Sequence, residues 1–281
     1  MSHVHPALRA LVPKFRQDQG FLMASAMSFV ALLCLAPLAL ILFSLAGFLM
    51  ESDEIAEYLF DAATLLLPAY GYELAEFLTI LARERAVTGL LGVLGWAVFA
   101  TQFFSLTRTV LNRAFGVRAR RGVLHGFALD LLAVTLAGLL ATGFAVVVAL
   151  LEVLGEAVGR FMPLPALSPA TVRQILKLPL IYVTGLAGLF FVYRTMPNTR
   201  VPARAAAIAT LAVAVAWEAA RWAFTAYVGM FGTYGRLYGS FGVGVAALVW
   251  IYYSATIFVL GAELAALLTG RRPAPPEATA S

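Results

Sequence analysis

The sequence predicts an all-α membrane protein with six transmembrane helices. Of its 281 residues, 62% are hydrophobic and only 12% are charged. A soluble domain carries about a quarter charged residues, because its surface must be hydrated. The chain also contains six apolar runs of about 20 residues, the length that crosses a bilayer. We predict that each run is a helix, because an open strand would leave backbone groups without hydrogen-bond partners in lipid.

The predicted elements follow one another along the chain. Residues 1–26 are predicted as a cytoplasmic segment in which ALRALVPKFRQ forms a short amphipathic surface helix, with Leu8, Leu11, Val12 and Phe15 facing lipid. A membrane domain, 27–268, holds the six spans, and residues 269–281 are predicted as a disordered cytoplasmic tail rich in proline and small residues. The predicted spans are 27–50, 87–107, 127–151, 175–193, 205–230 and 241–268.

Residues 51–86, between the first two spans, are predicted to form a short helical cap on the outer face. They contain eight acidic residues and two arginines, with apolar residues at helical spacing. Ser52 suits a helix N-cap, and Pro68 and Gly71 separate two short helices. One interpretation is a gate or a cation-attracting vestibule. The other is that an external loop simply tolerates acidic residues.

Both termini are predicted to lie in the cytoplasm, because lysine and arginine collect in cytoplasmic loops. With the six spans placed as above, thirteen of these residues fall on the side of the termini and six on the opposite side. Arg221 lies within a span. This pattern predicts a multi-pass membrane protein.

Ionisable residues inside the predicted spans are candidates for function, because placing a charge in lipid costs free energy. Glu218 and Arg221 lie near the middle of the fifth span at i,i+3 spacing, which puts them on one helical face. Thr225 continues that face, and Trp217 and Trp222 flank it. One interpretation is a polar cavity that binds a substrate headgroup or relays a proton. The other is an internal salt bridge that fixes helix packing.

Other polar residues lie nearer the cytoplasmic ends of their spans. Asp130, in the third span, and Glu263, in the sixth, are expected to pair with the arginine-rich loops. Gln102, Ser105 and Thr107 make the inner end of the second span polar. These side chains either line a cavity or form hydrogen bonds between helices. Gln102 is therefore a further candidate for the polar cavity.

The chain lacks the sequence motifs of familiar catalytic sites. It contains no G-x-x-x-x-G-K-[ST], H-E-x-x-H, C-x-x-C or G-x-S-x-G motif. Cys34 is the single cysteine, and no histidine falls within a predicted span. We therefore expect no enzymatic activity, no metal site and no cofactor. Because the arginines are accounted for by orientation, we expect no nucleic-acid partner.

The glycine-rich stretch GTYGRLYGSFG, residues 232–242, is predicted as a tight turn on the outer side between the fifth and sixth spans. Glycine supplies the backbone angles of such a turn. Gly235, Gly239, Gly242 and Gly244 are also expected to let the start of the sixth helix approach a neighbour closely.

Four stretches of the sequence carry a family likeness. They are ASAMSFVALLCLAPLALIL at 24–42, LTRTVLNRAFGV at 106–117, VYRTMPNTRV at 192–201, and TYGRLYGSFGVGVAALVWIYYSATIFVLGAELAALL at 233–268. Together they resemble the YihY/BrkB family of bacterial inner-membrane proteins, over roughly residues 20–268. The resemblance implies six spans and brings no agreed active site. The matching motif positions, whose role the resemblance does not define, are Asn112, Pro197, Asn198, Tyr234, Gly235, Gly261 and Glu263.

Members of that family have been labelled ribonuclease BN, and others have been linked to serum resistance or to export of envelope lipid precursors. Phosphodiester hydrolysis usually employs metal ions held by clustered carboxylates or histidines. The predicted cytoplasmic loops offer arginines with no acidic cluster beside them. The sequence therefore argues against the nuclease function.

The leading functional hypothesis is a protein that binds or translocates an amphipathic envelope molecule, a lipid or a lipid precursor. It rests on the Glu218–Arg221 pair together with the family resemblance, and its expected partners are membrane lipids. The first alternative is a non-transporting scaffold that holds an envelope protein at the outer cap. The second is a carrier of a small solute or ion.

Overall fold

A computed structural model describes residues 4–49, 80, 84–117, 169–230 and 235–270. Within these ranges the secondary structure is α-helical and contains no strand, which confirms the all-α class. The helices are α1 (Val4–Gln17), α2 (Gly20–Leu49), α3 (Arg85–Ala114), α4 (Pro169–Thr195), α5 (Ala203–Met230) and α6 (Gly235–Leu268).

Four of the described helices are long and apolar enough to cross a bilayer. The four stretches are Gly20–Ile41, Arg85–Ala114, Ala203–Tyr227 and Gly244–Leu268, and they confirm the first, second, fifth and sixth predicted spans as apolar helices. The fourth predicted span lies in α4, which is not among the four and carries Arg173 and Lys177 in its first half. The third predicted span, nearly all of the outer cap and the tail from residue 271 lie outside the described residues.

Helix α6 is the central element of the described part of the bundle. It packs against α1, α2, α3 and α5. Its 34 residues give a length of about 51 Å, at about 1.5 Å per residue. That exceeds the hydrocarbon thickness of about 30 Å. If α6 stands upright in the bilayer, its ends therefore extend beyond the apolar layer.

Helices α2 and α3 form a close antiparallel pair. A Cβ atom on Gly92 would lie 2.9 Å from Ile41, and one on Gly95 would lie 3.1 Å from Pro37. Helix α2 continues through Pro37 as one element. Because lipid tails are as apolar as the side chains, helices in a membrane associate mainly through such close packing and through hydrogen bonds.

The best-packed region lies where the last turns of α3, α4 and α6 meet the first turns of α5 and the end of α1. We call this region the α1 end. There, alanine faces of α5 and α6 come together around Tyr193, which is fully buried. The Tyr193 hydroxyl donates to the carbonyl oxygen of Phe258 at 2.7 Å, and the two rings stack with centroids 5.2 Å apart.

The prediction that Phe15 faces lipid is wrong. The residue is helical as predicted, but its side chain is only 3% exposed and packs with Met23, Met27, Val110 and Val259. The chain turns back sharply between α1 and α2, so Phe15 folds onto the bundle. The apolar periodicity of α1 correctly predicted a helix. It did not indicate that the bundle, and not lipid, covers the apolar face at Phe15.

The predicted tight turn at residues 232–242 is wrong for residues 235–242, because helix α6 begins at Gly235. The candidate span within α6, Gly244–Leu268, lies close to the predicted sixth span, 241–268. A Cβ atom at Gly244 would have no neighbour within 4 Å, so this glycine makes no close approach to another described helix. A helix satisfies its own backbone hydrogen bonds in lipid, and this favours continuing it through the glycine-rich stretch.

Gly261 provides a test of the packing around Tyr193. A Cβ atom at Gly261 would collide with the Tyr193 hydroxyl and the Val213 side chain. We expect Gly261→Ala to destabilise the protein by about 1–3 kcal/mol, the usual cost of overpacking. The measurement is thermal unfolding in detergent. Gly244→Ala, on the same helix with open space around it, is the matched control, and an equal loss in both variants would contradict the packing argument.

Candidate functional site

The structure confirms that Glu218 and Arg221 pair on one face of α5. Arg221 Nε donates to Glu218 Oε1 at 3.1 Å and to Oε2 at 3.0 Å, and Nη2 donates to Oε1. The Glu218 side chain is 34% exposed and that of Arg221 is 48% exposed. The pair lies within the candidate span Ala203–Tyr227, and the described residues leave it half-exposed.

Tyr182 of α4 joins this pair. Its hydroxyl donates to Glu218 Oε2 at 3.1 Å, so both carboxylate oxygens accept hydrogen bonds. Arg221 Nη1 makes no hydrogen bond to the described residues. The site therefore presents a guanidinium group that is fixed in orientation by Glu218 and still has N–H donors to offer.

An aromatic wall lines the seam between α5 and α6 beside this pair. Trp217 donates its indole N–H to Ser254 Oγ at 3.2 Å, and its ring lies 5.5 Å from that of Trp250. Phe224 also packs on Trp250, with centroids 5.1 Å apart. Tryptophan has a large apolar ring and a polar N–H, so it suits contact with both the tails and the headgroups of lipids.

The other two candidates for the polar cavity do not join the pair. Thr225 is on the same face of α5, but its hydroxyl donates to the carbonyl oxygen of Arg221 at 2.8 Å, one turn back. Gln102 is exposed on α3, a helix that packs mainly against α2 and α6. The described contacts therefore centre the site on Glu218, Arg221 and Tyr182.

A second charged cluster lies at the α1 end and is buried. Glu263 is fully buried in α6, and its Oε2 accepts a hydrogen bond from Lys14 of α1, which is 3% exposed. Lys14 Nζ also donates to Asp18 Oδ2 at 2.6 Å and to the carbonyl oxygen of Ala114 at 2.7 Å. One ammonium group thus ties α1 to α6 and to the C-terminus of α3, where a cation is favourable.

The prediction that Glu263 pairs with an arginine of the loops is wrong, because its partner is Lys14. The spacing of 249 residues between them gives no local signal. The one available clue was a lysine directly beside Phe15 in an apolar helical pattern. Asp130 lies outside the described residues.

Most of the family-motif positions lie at the same end. The backbone N–H of Asn198 donates to Asn112 Oδ1 at 2.7 Å, which ties the segment after α4 to the last turns of α3. Pro197 is buried beside it. Gly261 and Glu263 lie at this end of α6, so five motif positions that are distant in sequence share one region.

Of the remaining two motif positions, Gly235 does not join that region. Gly235 begins α6 at its other end. Tyr234 falls outside the described residues.

These observations define a polytopic membrane protein. Its described helices include four that are apolar enough to span a bilayer, many of their large apolar side chains are exposed, and one charged cluster is buried where helices meet. The family model "Virulence factor BrkB" matches residues 11–281. The chain belongs to this family, which confirms the resemblance found in the sequence.

Several relatives are similar to nearly the whole chain. The UPF0761 membrane protein of Chromohalobacter salexigens is 29% identical over 276 residues, covering 95% of this chain and 64% of the relative. That of Azotobacter vinelandii is 32% identical over 272 residues, covering 94% and 63%. That of Cronobacter sakazakii is 26% identical over 262 residues, covering 93% and 88%. The chain thus spans less than two thirds of the first two relatives, and no solved structure matches it.

The buried pair generates a stability prediction. Lys14→Met leaves Glu263 as an uncompensated buried charge, and we expect it to lower the free energy of unfolding by about 3–5 kcal/mol. Thermal unfolding in detergent measures the effect. Arg16→Met, an exposed cation of the same helix, is the matched control and should change little. Adding Glu263→Gln to Lys14→Met should recover part of the loss, and no recovery would contradict the electrostatic cause.

The Asn112–Asn198 contact generates another prediction. Asn112→Leu removes the acceptor for the backbone N–H of Asn198, and we expect the loss of this half-buried hydrogen bond to cost about 0.5–1.5 kcal/mol. Asn112→Asp retains an acceptor oxygen at the same position and should be milder. Limited proteolysis at residues 196–202 compares the two variants. Equal protection in both would show that the side-chain acceptor does not hold this segment.

Proposed function

We propose that the protein resides in the bacterial inner membrane, where it binds or translocates an amphipathic envelope molecule, a lipid or a lipid precursor. The observation that carries the proposal is the half-exposed Glu218–Arg221 pair within a span of α5. In this proposal the pair and Tyr182 receive the headgroup, and no enzymatic step is involved. Neither a cofactor nor nucleic acid takes part.

The chemistry of the pair supports a phosphate-bearing headgroup. Arg221 has unused N–H donors on a planar guanidinium group, which suits two parallel hydrogen bonds to phosphate oxygens. Glu218 holds the guanidinium in place and offsets its charge, so the empty site is neutral. A neutral pair matches a zwitterionic headgroup, whose phosphate meets Arg221 and whose ammonium meets Glu218.

The surroundings support the amphipathic character of the molecule. Trp222 is 73% exposed and Val215 is 72% exposed on the same helix, so an apolar surface adjoins the charged pair. A lipid can place its chains on that surface while its headgroup reaches the pair. A small hydrophilic solute would gain nothing from this apolar surface, which favours a lipid over the carrier alternative.

The inner-membrane location and the cytoplasmic placement of the α1 end are supported by charge. Among the residues predicted to be cytoplasmic, Arg9, Arg16, Arg113, Arg194 and Arg204 are exposed in segments that belong to the α1 end. Positive charge collects on the cytoplasmic side of inner-membrane proteins. Accessibility of a cysteine at position 9 to an impermeant reagent, in spheroplasts and in inverted vesicles, would test the orientation.

A lipid-scrambling assay tests the function. The protein is reconstituted in vesicles of phosphatidylethanolamine and phosphatidylglycerol that contain a trace of fluorescent lipid, and bleaching of the outer leaflet reports exchange between leaflets. We expect faster exchange than in protein-free vesicles. Arg221→Gln and Glu218→Gln should each slow it about tenfold, because a hydrogen bond to a charged group is lost.

Arg204→Gln is the matched control, because it removes an exposed cation from the first turn of the same helix. Exchange equal to that of protein-free vesicles would contradict lipid translocation and would favour the scaffold or carrier alternatives. Fast exchange that Arg221→Gln and Glu218→Gln leave unchanged would instead show that the headgroup path lies elsewhere.

A further inference from the structure

The buried cluster at the α1 end has more acceptors than its lysine can satisfy. An ammonium group has three N–H donors, and Lys14 uses all three, on Asp18, Glu263 and the carbonyl oxygen of Ala114. Glu263 Oε1 is buried and has no hydrogen-bond partner in the part of the chain that the structure describes. Two carboxylates therefore share one ammonium group, and one carboxylate oxygen is left without a donor.

The other charged groups around α6 do not supply that donor. Helix α2, which packs on α6, has no charged residue. Arg113 of α3 is exposed and donates to Gln19. The remaining titratable groups at this end whose side chains the structure describes are Arg9, Arg16, Arg108, Tyr193, Arg194, Arg200 and Arg204. None of them has a described hydrogen bond or ion pair with Glu263.

Among the residues that the structure describes, the cluster consequently lacks one positive charge. With Lys14 protonated and both Asp18 and Glu263 ionised, its net charge is −1, and Glu263 has no contact with solvent. An isolated negative charge is strongly disfavoured in a low-dielectric environment. A bound cation or proton would remove it.

We propose that Glu263 is a proton-binding site and that proton uptake there loosens the docking of α1 on the bundle. A proton needs one open oxygen, whereas hard metal cations take about six oxygen ligands. Glu263 offers one open oxygen, and its neighbours in the chain, Ala262 and Leu264, bring no further side-chain oxygen. The proton comes from water, adds to Oε1 and leaves Lys14 charged, so the cluster becomes neutral.

The geometry offers a route for the proton and a consequence of its uptake. Asp18 shares Lys14 with Glu263 and is 17% exposed, so it connects the cluster to water. When Glu263 is neutral, the attraction between α1 and α6 weakens, because Asp18 is then the only described carboxylate that pairs with Lys14. The hydrogen bond from Lys14 to the carbonyl oxygen of Ala114 remains. Phe15 and its apolar contacts remain, so we expect a shift in the docked fraction of α1 and not complete release.

The docking of α1 can be measured by pulsed EPR distances in lipid nanodiscs. Spin labels are placed at Val12→Cys and Ala203→Cys, both exposed positions, in a Cys34→Ala background. The pH is varied from about 4 to about 9. This range includes the pKa of an ordinary glutamate and that of a fully buried one. We expect the wild-type distances to gain a longer component as the pH falls.

Three variants identify the group that responds. Glu263→Gln mimics the neutral acid, so the longer component should be present at every pH and the pH dependence should be lost. Asp18→Asn removes the competing anion, so the transition should move to lower pH. Glu218→Gln, the same change at the other carboxylate of a described span, should keep the wild-type response.

Infrared difference spectroscopy on the wild-type protein gives a test that needs no substitution. The carbonyl stretch of a buried protonated carboxyl should appear in step with the longer EPR distance. The proposal is overturned if the wild-type distances do not change over this pH range, if Glu263→Gln retains the response, or if sodium ions at constant pH produce it. None of these readouts depends on lipid movement, so they separate this proposal from the proposed function.

Discussion

The Lys14 ammonium group is the contact on which the arrangement of the α1 end depends. In lipid, apolar surfaces do not drive helices together as they do in water, so hydrogen bonds and close packing must specify their positions. Lys14 satisfies the C-terminus of α3, a carboxylate of α6 and a carboxylate of the turn after α1 at once. Lys14 thereby fixes α1, which is not one of the candidate spans, to α6 at the centre of the described bundle.

Close packing and further hydrogen bonds also stabilise the α1 end. Gly261 leaves room for Tyr193, whose hydroxyl satisfies a backbone carbonyl oxygen within α6. The Asn112 side chain holds the backbone of the segment that follows α4. These contacts join helices that are distant in sequence at the α1 end. Five of the seven family-motif positions lie there although they are widely separated along the chain. Asn112, Asn198, Gly261 and Glu263 each take part in a contact between these elements.

The two charged clusters differ in exposure, because one is buried and the other is half-exposed. The Lys14–Glu263 pair is enclosed by protein, and its consequences are structural or concern protons. The Glu218–Arg221 pair is half-exposed on an apolar helix. In the proposed function, the pair provides a binding surface on one part of α5, apart from the tightly packed region at the first turns of that helix.

The sequence by itself determined the membrane class, four spans and the pairing of Glu218 with Arg221, because apolar run length and i,i+3 spacing are local properties. The resemblance in four stretches likewise identified the family. Only the tertiary structure decided the partner of Glu263, the burial of Phe15 and the contribution of Tyr182. Each of these joins residues of different helices, and helix periodicity carries no information about which neighbour will cover a given face.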